Sequence, residues 1–507
     1  MDTEITGLLT VLVFLPLIGA ISVAILGKTP DLIKLISLMV VILELGLGGF
    51  IFTAYDTDKG GLQFVDFIEG WISVGSFKVD YFLGLDGISV PFVLLTSILG
   101  LVAVLASWNI KTRVREYFVW ILVLQTAIMG VFTSLDFLLF FVFWEIELVP
   151  MFLLISIWGT GRKEYSAMKF LIYTFFGSAF MLVGILALFF TTGTFNMTEL
   201  PLEVARTTSV IPIGLIFFLL FIAFAVKLPV FPLHTWLPDA HTDAPTAVSV
   251  ILAGVLLKMG GYGMIRILVT IFPDVIIDVA QIIVILGVIN VLYGAVITLR
   301  QTDLKRLIAF SSISHMGYVL IGISSIVGSG GSVSSTGITG ASMQMFTHGT
   351  ITGLMFLTVG FIYEKVHTRH IPDLGGLATR MPVLAITFLI AGLASLGLPG
   401  TSGFVSEMLV FLGTFPVWGW ATALSAFGIV ITAGYILWMI QRTMFGPELQ
   451  RFNSVRDATR LELVPIIMLV VFIIGLGVYP ALVSDVFREG LAPIVDNFQN
   501  PGLLAVK

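Results

Sequence analysis

Runs of about twenty apolar residues recur along the whole chain, and no other feature limits the fold so strongly. The hydrocarbon core of a bilayer is about 30 Å thick, and about twenty residues of helix are needed to cross it. Fourteen such runs occur in the 507 residues, near 5–26, 32–54, 84–107, 116–134, 136–158, 166–191, 210–238, 244–270, 275–298, 303–327, 341–365, 382–414, 417–443 and 462–486. The sequence therefore predicts an all-α polytopic membrane protein with about 14 transmembrane helices, surrounded by the lipid bilayer.

Lysine and arginine residues are distributed unevenly between the two sides of the membrane. Eighteen of the 26 lie in or beside loops that follow odd-numbered runs, six lie on the other side, and Lys227 and Lys258 fall inside runs. Because positive charge is retained in cytoplasmic loops, we expect both termini on the non-cytoplasmic side. Asp2 and Glu4 stand where a signal peptide carries basic residues, so the first run is expected to be retained.

Cysteine is absent from the chain. Its absence excludes disulfides, cysteine-ligated iron–sulfur clusters, thiolate zinc sites and cysteine nucleophiles. Any redox chemistry linked to this chain is therefore expected in other proteins, and we expect no cofactor in this one.

The seventh run contains a lysine and is interrupted by prolines. Lys227 follows the apolar segment from Ile211 to Val226, and Pro229 and Pro232 come soon after it. Proline removes a backbone donor and clashes with the preceding turn, so the helix should break there. Within lipid, the freed backbone groups are tolerated only where they are buried in protein or line a water-filled cavity. A lysine beside such a break indicates an ion path, in preference to a simple kink with a lysine that reaches the surface.

A second interruption lies in the twelfth run, where Gly397, Pro399 and Gly400 precede Glu407. The two interrupted runs are five spans apart and therefore cross the membrane in opposite directions. This arrangement predicts two inverted five-helix repeats, with broken helices 7 and 12. The expected division of the chain is 1–115 for helices 1–3, 116–270 for the first repeat, 271–445 for the second repeat, and 446–507 for helix 14 and the tail.

Six ionisable residues lie at or near the centres of their runs: Glu145, Lys227, Lys258, His315, His348 and Glu407. A pore would spread polar residues over the depth of the membrane, whereas these residues define a layer in its plane. Such a layer suits a lateral chain of proton sites reached by separate water inlets from each side. A Glu–Lys pair that opens and closes can change the proton affinity of the lysine, because a nearby opposite charge restores the charged form that burial disfavours.

Each of these residues also has an interpretation without proton transfer. Glu145 and Lys227, the expected ion pair, can also be interpreted as a static pair that only fixes helix packing. Glu147 should face away from Glu145, because it lies two residues further along the same helix. His315 and His348 can join helices by hydrogen bonds without titrating. A further polar group can be interpreted as a metal cluster but is explained more simply by helix termination, and it comprises His234, Asp239, His241 and Asp243.

Two loops carry weaker signals. The acidic segment Tyr55 to Asp80 contains WISVGSFKVD, whose alternation of apolar and polar residues suits a short hairpin. The Ser/Gly-rich segment Ile326 to Gly340 is expected to be a flexible connector. Neither predicts any chemistry.

Four long motifs of this chain resemble the antiporter-like membrane subunits of respiratory complex I (NADH-quinone oxidoreductase). They are FVFWEIELVPMFLLISIWG (Phe141 to Gly159), AFAVKLPVFPLHTWLPDAHTDAPTAVSVILAGVLLKMGGYGMIR (Ala223 to Arg266), QTDLKRLIAFSSISHMG (Gln301 to Gly317) and GLPGTSGFVSE (Gly397 to Glu407). The resemblance extends over nearly the whole chain. It implies fourteen helices in two inverted repeats.

The resemblance also implies a role for each central residue. The implied proton-transfer residues are Glu145 and Lys227 as a controlling ion pair, Lys258 as the central relay, His315 and His348 as a continuing polar axis, and Glu407 as its end. The sister subunits resemble one another in having Lys at the position of Glu407. No flavin, cluster or quinone site is implied for this chain.

The implied function is proton translocation driven by electron transfer elsewhere in a larger complex. The implied partners are subunits of the L, N, K, A, J and H types and, through them, a peripheral redox arm, in the cell inner (plasma) membrane and without nucleic acid. Two alternatives remain. One is a subunit of a multisubunit cation/proton antiporter, which has no redox arm, and the other is a membrane scaffold whose charges only pack helices.

Overall fold

The computed structural model describes residues 7–75, 77–207, 211–328 and 331–499. Its helices in chain order are α1 (Leu8–Leu26), α2 (Pro30–Ala54), α3 (Val90–Ala106), α4 (Val114–Thr133), α5 (Phe137–Ile146), α6 (Leu148–Trp158), α7 (Lys163–Thr192), α8 (Leu200–Arg206), α9 (Ile213–Lys227), α10 (Trp236–Asp243), α11 (Thr246–Val269), α12 (Pro273–Thr298), α13 (Leu304–Ser324), α14 (Ser335–Val366), α15 (Pro382–Ser395), α16 (Ser402–Met444), α17 (Arg460–Val478) and α18 (Ala481–Gln499). Asp2, Glu4 and the first two residues of the first predicted span lie outside the described ranges.

The predicted helical membrane architecture is confirmed. Within the described ranges, eleven spans are long and apolar enough to cross a bilayer, the pair α5 and α6 counting as one. Three shorter apolar helices, α3, α9 and α15, lie at the third, seventh and twelfth predicted spans. The count of fourteen and the two inverted repeats, on which the boundaries at 115, 270 and 445 rest, stay predictions.

The predicted division between the twelfth and thirteenth spans, near residue 415, is close to a kink in the structure. The range given as α16 comprises two helices that meet at Trp418, whose φ of −133° and ψ of 60° are not helical. After α17 comes an additional helix, α18, which the sequence analysis assigned to the tail. Tyr55 donates a hydrogen bond of 2.9 Å to Glu489 of α18. Burial raises the pKa of Tyr55, and the Glu489 carboxylate adds to the rise, so the phenol keeps the proton that it donates.

The two loop predictions have different outcomes. The hairpin is confirmed: β1 (Gln63–Val74) and β2 (Phe77–Leu85) pair antiparallel, with Phe67 opposite Phe82. The predicted connector from Ile326 to Gly340 is shorter than expected, because α14 already begins at Ser335, and residues 329–330 of it lie outside the described ranges. The Ser334 side chain caps this helix by accepting a hydrogen bond from the Gly337 N–H.

The helices differ in how much of their surface other helices cover. The apolar stretches of α11, α13 and α14 are 100% buried, whereas those of α2 and α17 are only 33% buried. Glycines allow α12 and α13 to pack closely: a Cβ on Gly317 would lie 2.7 Å from the Gly287 carbonyl oxygen. Three buried helices therefore form the centre of the molecule, and the outer helices turn apolar faces outward, as lipid or neighbouring subunits require.

Candidate functional site

The predicted break in the seventh span is present, and side chains of the protein satisfy its free backbone groups. Helix α9 ends at Lys227. The Phe231 N–H donates to Asn290 Oδ1 at 2.7 Å, and Asn290 Nδ2 donates to the Pro229 carbonyl at 3.1 Å. The indole N–H of Trp236 donates to the Val226 carbonyl at 2.9 Å. Of the two environments that tolerate such a break in lipid, burial within protein is the one present here.

Lys227 forms its ion pair with Glu147 and not with Glu145. Lys227 is 1% exposed and Glu147 is 0% exposed, and the ammonium lies 5.1 Å from the centre of the Trp144 ring. The prediction that Glu145 is the ion-pair partner of Lys227 is therefore wrong. Glu147 lies at an irregular turn where α5 ends and α6 begins, although its own φ of −65° and ψ of −25° are helical. Glu145 is half-buried and still attracts Lys227 electrostatically, so two carboxylates act on one lysine.

Lys258 lies between two π-helical stretches of α11, Leu252–Leu256 and Met264–Val269. Its ammonium donates to the Ala253 carbonyl and contacts His348 Nδ1 at 2.8 Å. Because lysine only donates, Nδ1 accepts, and the proton of the neutral imidazole is on Nε2. π-Helical turns are frequent at functional sites, and here one of them accompanies the bond from Lys258 to a residue five positions earlier.

Both ring nitrogens of His315 face carbonyl oxygens. Nδ1 is 2.8 Å from the Ser311 carbonyl and Nε2 is 2.9 Å from the Ser395 carbonyl, at the end of α15. Glu407 Oε1 is 3.7 Å from the same Nε2. Carbonyl oxygens only accept, so both contacts are hydrogen bonds only when the ring is doubly protonated. A neutral His315 ring therefore donates to one of these carbonyls at a time, beside the Glu407 carboxyl.

The second break adjoins a small cavity at this point. Gly397 and Gly400 have φ of 75° and 91°, and a Cβ on Gly397 would lie 2.5 Å from Glu407 Oε2. The cavity offers about 10 Å³ to the centre of a water molecule, which is about the room that one water needs. Its lining residues are His315, Gln344, Thr347, His348, Ile351, Ala394, Ser395, Gly403 and Glu407.

The structure thus brings four of the six predicted site residues into one line. Lys258 contacts His348, the rings of His348 and His315 are 5.5 Å apart between their centres, and His315 adjoins Glu407. Lys227 and Glu145 lie apart from this line: no hydrogen bond or ion pair between described residues joins Lys227 to Lys258. The nearest connection is packing, since a Cβ on Gly260 would lie 2.7 Å from the Leu228 nitrogen.

The polar residues at the end of α10 form ion pairs. Asp239 accepts from Lys169 at 2.7 Å and from Arg306 at 3.3 Å. Asp243 accepts from the Ser166 hydroxyl at 2.6 Å. In the part of the chain that the structure describes, no three His, Asp or Glu side chains are grouped as metal ligands would be. These contacts support the simpler interpretation, in which the group ends a helix at the membrane boundary.

Sequence reasoning missed three polar contacts that hold this framework together. Asn290 is fully buried on α12, and Glu44 is fully buried on α2 with its carboxyl 3.3 Å from the Gln125 amide. Arg266 of α11 binds Asp86 with two hydrogen bonds, of 2.6 and 2.5 Å. A polar residue inside an apolar run was the available signal for Asn290 and Glu44. The Arg266 to Asp86 contact had none, because it joins two distant segments.

Three comparisons place these features among known proteins. Residues 134–432 match the family described as NADH:quinone oxidoreductase/Mrp antiporter, TM. The chain is 40% identical to the NADH-quinone oxidoreductase subunit M of Rhodobacter capsulatus, over 97% of each chain. It is 39% identical to the NAD(P)H-quinone oxidoreductase chain 4 2 of Thermosynechococcus vestitus, over 94% of this chain and 90% of that one.

Solved structures show the same fold. A chain of respiratory complex I from Thermus thermophilus with bound NADH superimposes with a TM-score of 0.85 and 27% identity, over 97% of this chain and 98% of that one. A chain of the Mrp complex from Dietzia sp. DQ12-45-1b also reaches 0.85, at 19% identity, over 99% of this chain and 98% of that one. The second likeness extends to the fold alone.

Proposed function

The chain belongs to the transmembrane family shared by NADH:quinone oxidoreductases and Mrp antiporters, and we propose that it is a proton-translocating, antiporter-like subunit of an NADH:quinone oxidoreductase, respiratory complex I. The observation that carries this proposal is the line of contacts from Lys258 through His348 and His315 to Glu407. Each member can hold or release a proton, and each adjoins the next.

The geometry suggests how a proton moves along this line. Lys258 gives its proton to His348 Nδ1, and the imidazole releases the proton that it already holds on Nε2. The proton left on Nδ1 must return to Nε2, by a turn of the ring or a change of tautomer, before the ring accepts the next one. The cavity lined by His348, His315 and Glu407 has room for one water, which would carry the proton to the site formed by His315 and Glu407. Glu407 then passes it toward the outlet beside the second break.

The first break supplies the control. Lys227 is held by Glu147 and attracted by Glu145. A movement that weakens this pair alters how far the carboxylates compensate the positive charge of Lys227, close to α11. The proton affinity of Lys258 changes as a result. We propose that redox steps in partner subunits drive this movement, that this chain holds no redox centre, and that partners of the L, N, K, A, J and H types surround it in the plasma membrane.

The alternative is a subunit of a multisubunit cation/proton antiporter without a redox arm. The likeness to the Dietzia Mrp complex supports the shared fold, whereas the curated relatives at about 40% identity favour the oxidoreductase. The subunit composition of the complex purified through this chain distinguishes the two.

The experiment that tests the function is the replacement of Lys258 by Arg in the complete complex. Arginine keeps the charge but does not release a proton at accessible pH. We expect the complex to assemble and proton pumping per NADH oxidised, measured in inverted vesicles, to be lost. Lys365→Arg is the matched control, because Lys365 pairs with Glu462 at the far end of α14 and should pump normally. Normal pumping by Lys258→Arg would refute proton transfer through this residue.

A further inference from the structure

We infer that Asn290 is a positioning residue for Lys227, because its amide bonds two free backbone groups of the first helix break and so fixes the shape of the break. The helix that carries Asn290 contributes no residue to the line from Lys258 to Glu407. Asn290 belongs to α12, outside the helices that carry Lys227, Glu147 and Lys258. This inference rests on the proposed function only where Lys227 is assigned a role in pumping. The contact itself can be tested separately.

The chemistry of the contact is specific to an amide. The break leaves one donor, the Phe231 N–H, and one acceptor, the Pro229 carbonyl, two residues apart. Asn290 meets the donor with Oδ1 at 2.7 Å and the acceptor with Nδ2 at 3.1 Å. A hydrophobic residue would satisfy neither group, and an ionised carboxylate would satisfy only the donor. Asn290 is 0% exposed, so solvent does not replace these bonds.

The position of Lys227 depends on this contact because the chain between them is short. Lys227 is the last residue of α9, and the bonded groups belong to residues two and four positions later. The Val230 N–H donates to the Ala225 carbonyl at 2.8 Å, so the segment held by Asn290 is also tied to the last turn of α9. A shift of the Pro229 or Phe231 backbone therefore moves the end of α9 and the lysine on it.

Helix α12 is suited to hold the break because it is itself fixed. Its neighbour α13 packs against it through Gly287, Gly294 and Gly317, where an added Cβ would lie within 3 Å of backbone atoms of the other helix. The Ser314 hydroxyl also donates to the Val291 carbonyl at 2.9 Å. Asn290 therefore lies on a helix that α13 holds in place, and the next residue, Val291, accepts the hydrogen bond from α13.

The first measurement is hydrogen exchange on the purified complex. In Asn290→Leu, which keeps the branching and the number of heavy atoms but has no polar group, we expect the protection factor of peptides covering 228–234 to fall at least about tenfold, as expected for a lost buried hydrogen bond. Proton pumping per NADH should fall with it. Val288→Ala truncates a buried side chain of the same helix away from the break and should leave the protection of 228–234 unchanged.

A second variant gives a readout that a merely structural role would not produce. In Asn290→Asp, the protonated acid has a carbonyl for the Phe231 N–H and a hydroxyl for the Pro229 carbonyl, whereas the carboxylate has no donor. Protection of 228–234 and pumping should therefore be near the parent's at low pH and fall as pH rises. The parent and Val288→Ala, each compared with its own low-pH value, should show no such loss of protection.

The outcomes separate this inference from its alternatives. Unchanged protection in Asn290→Leu, equal loss of protection throughout the chain, or no pH dependence in Asn290→Asp would each overturn it. A local loss of protection with normal pumping would overturn the link to Lys227. If Lys258→Arg pumps normally, the proposed function fails, while the exchange result still decides whether Asn290 holds the break.

Discussion

Lys227 lies within reach of two carboxylates in different surroundings. Glu147 is fully buried and forms the ion pair, and Glu145 is half-buried in the same span. Burying a lysine costs free energy unless a partner compensates its charge. The buried partner is therefore expected to determine stability, and the half-exposed one remains available to respond to a neighbouring subunit.

This division of roles can be tested by neutralising each carboxylate in turn. Glu147→Gln leaves Lys227 buried without its ion-pair partner, so we expect the unfolding free energy to fall by about 3–5 kcal/mol, measured as a lower midpoint of thermal or denaturant unfolding. Glu145→Gln should change the unfolding free energy by less than about 1 kcal/mol and reduce pumping instead. Equal destabilisation by the two variants would contradict this assignment.

At the scale of single residues, the sequence shows which residues are candidates for the site better than it shows which of them contact each other. Lys227, Lys258 and Glu407 are conspicuous because a charge inside an apolar run is costly. The partner of Lys227 was not predicted, although Pro150, which clashes with the carbonyl four residues earlier, marks the irregular turn at Glu147. Asn290 was overlooked because an uncharged amide disturbs an apolar run far less than a charge does.

At the scale of helices, Arg266 joins the end of α11 to Asp86, the residue that follows the hairpin. Its guanidinium makes two bonds to Asp86 and a third, of 3.0 Å, to the Ser89 hydroxyl. Arg266 lies in the second π-helical stretch of α11, and Lys258 lies between the two stretches. The contact with Asp86 therefore fixes α11 close to Lys258. The C-terminal end of α11 is therefore anchored to the segment between β2 and α3.

Replacing Arg266 by Lys should release this anchor. Lysine keeps the charge but cannot form the two parallel bonds to Asp86, so we expect the unfolding free energy to fall by about 1–3 kcal/mol, with faster hydrogen exchange in 86–90. Arg488→Lys is the control, because the Arg488 pair with Asp485 is exposed and should contribute almost nothing. Comparable effects in both variants would show that the two-bond geometry is unimportant.

Helices with strong signals were predicted well, and the failures have identifiable causes. Pro229 and Pro232 marked the first break, and alternating residues marked the hairpin. Helix α18 was missed because it is amphipathic rather than uniformly apolar, and it buries Val483, Phe487 and Leu491 on one face only. The connector was predicted too long because serine and glycine disfavour a helix interior, although Ser334 is a good N-cap.

At the scale of the whole molecule, the orientation in the membrane can be tested directly because the chain has no cysteine. We expect a cysteine at Asp58, beside the hairpin, to react with a membrane-impermeant maleimide from the non-cytoplasmic side of intact cells. A cysteine at Thr112, in a basic loop, should react only in inverted vesicles. Both positions are exposed, so access to the reagent is the only difference. The reverse pattern would invert the orientation derived from the basic residues.

The line from Lys258 to Glu407 also has an electrical consequence. Moving one elementary charge across a membrane potential of 100 mV involves about 2.3 kcal/mol, but a charge that moves parallel to the membrane plane crosses none of that potential. Because the sequence predicts these residues at or near the centres of their spans, transfers among them should be insensitive to voltage. Nearly all the electrical work of pumping is then done along the two paths by which protons enter and leave this line, in roughly equal halves. Voltage is expected to slow proton entry and release while leaving the transfers between them unchanged.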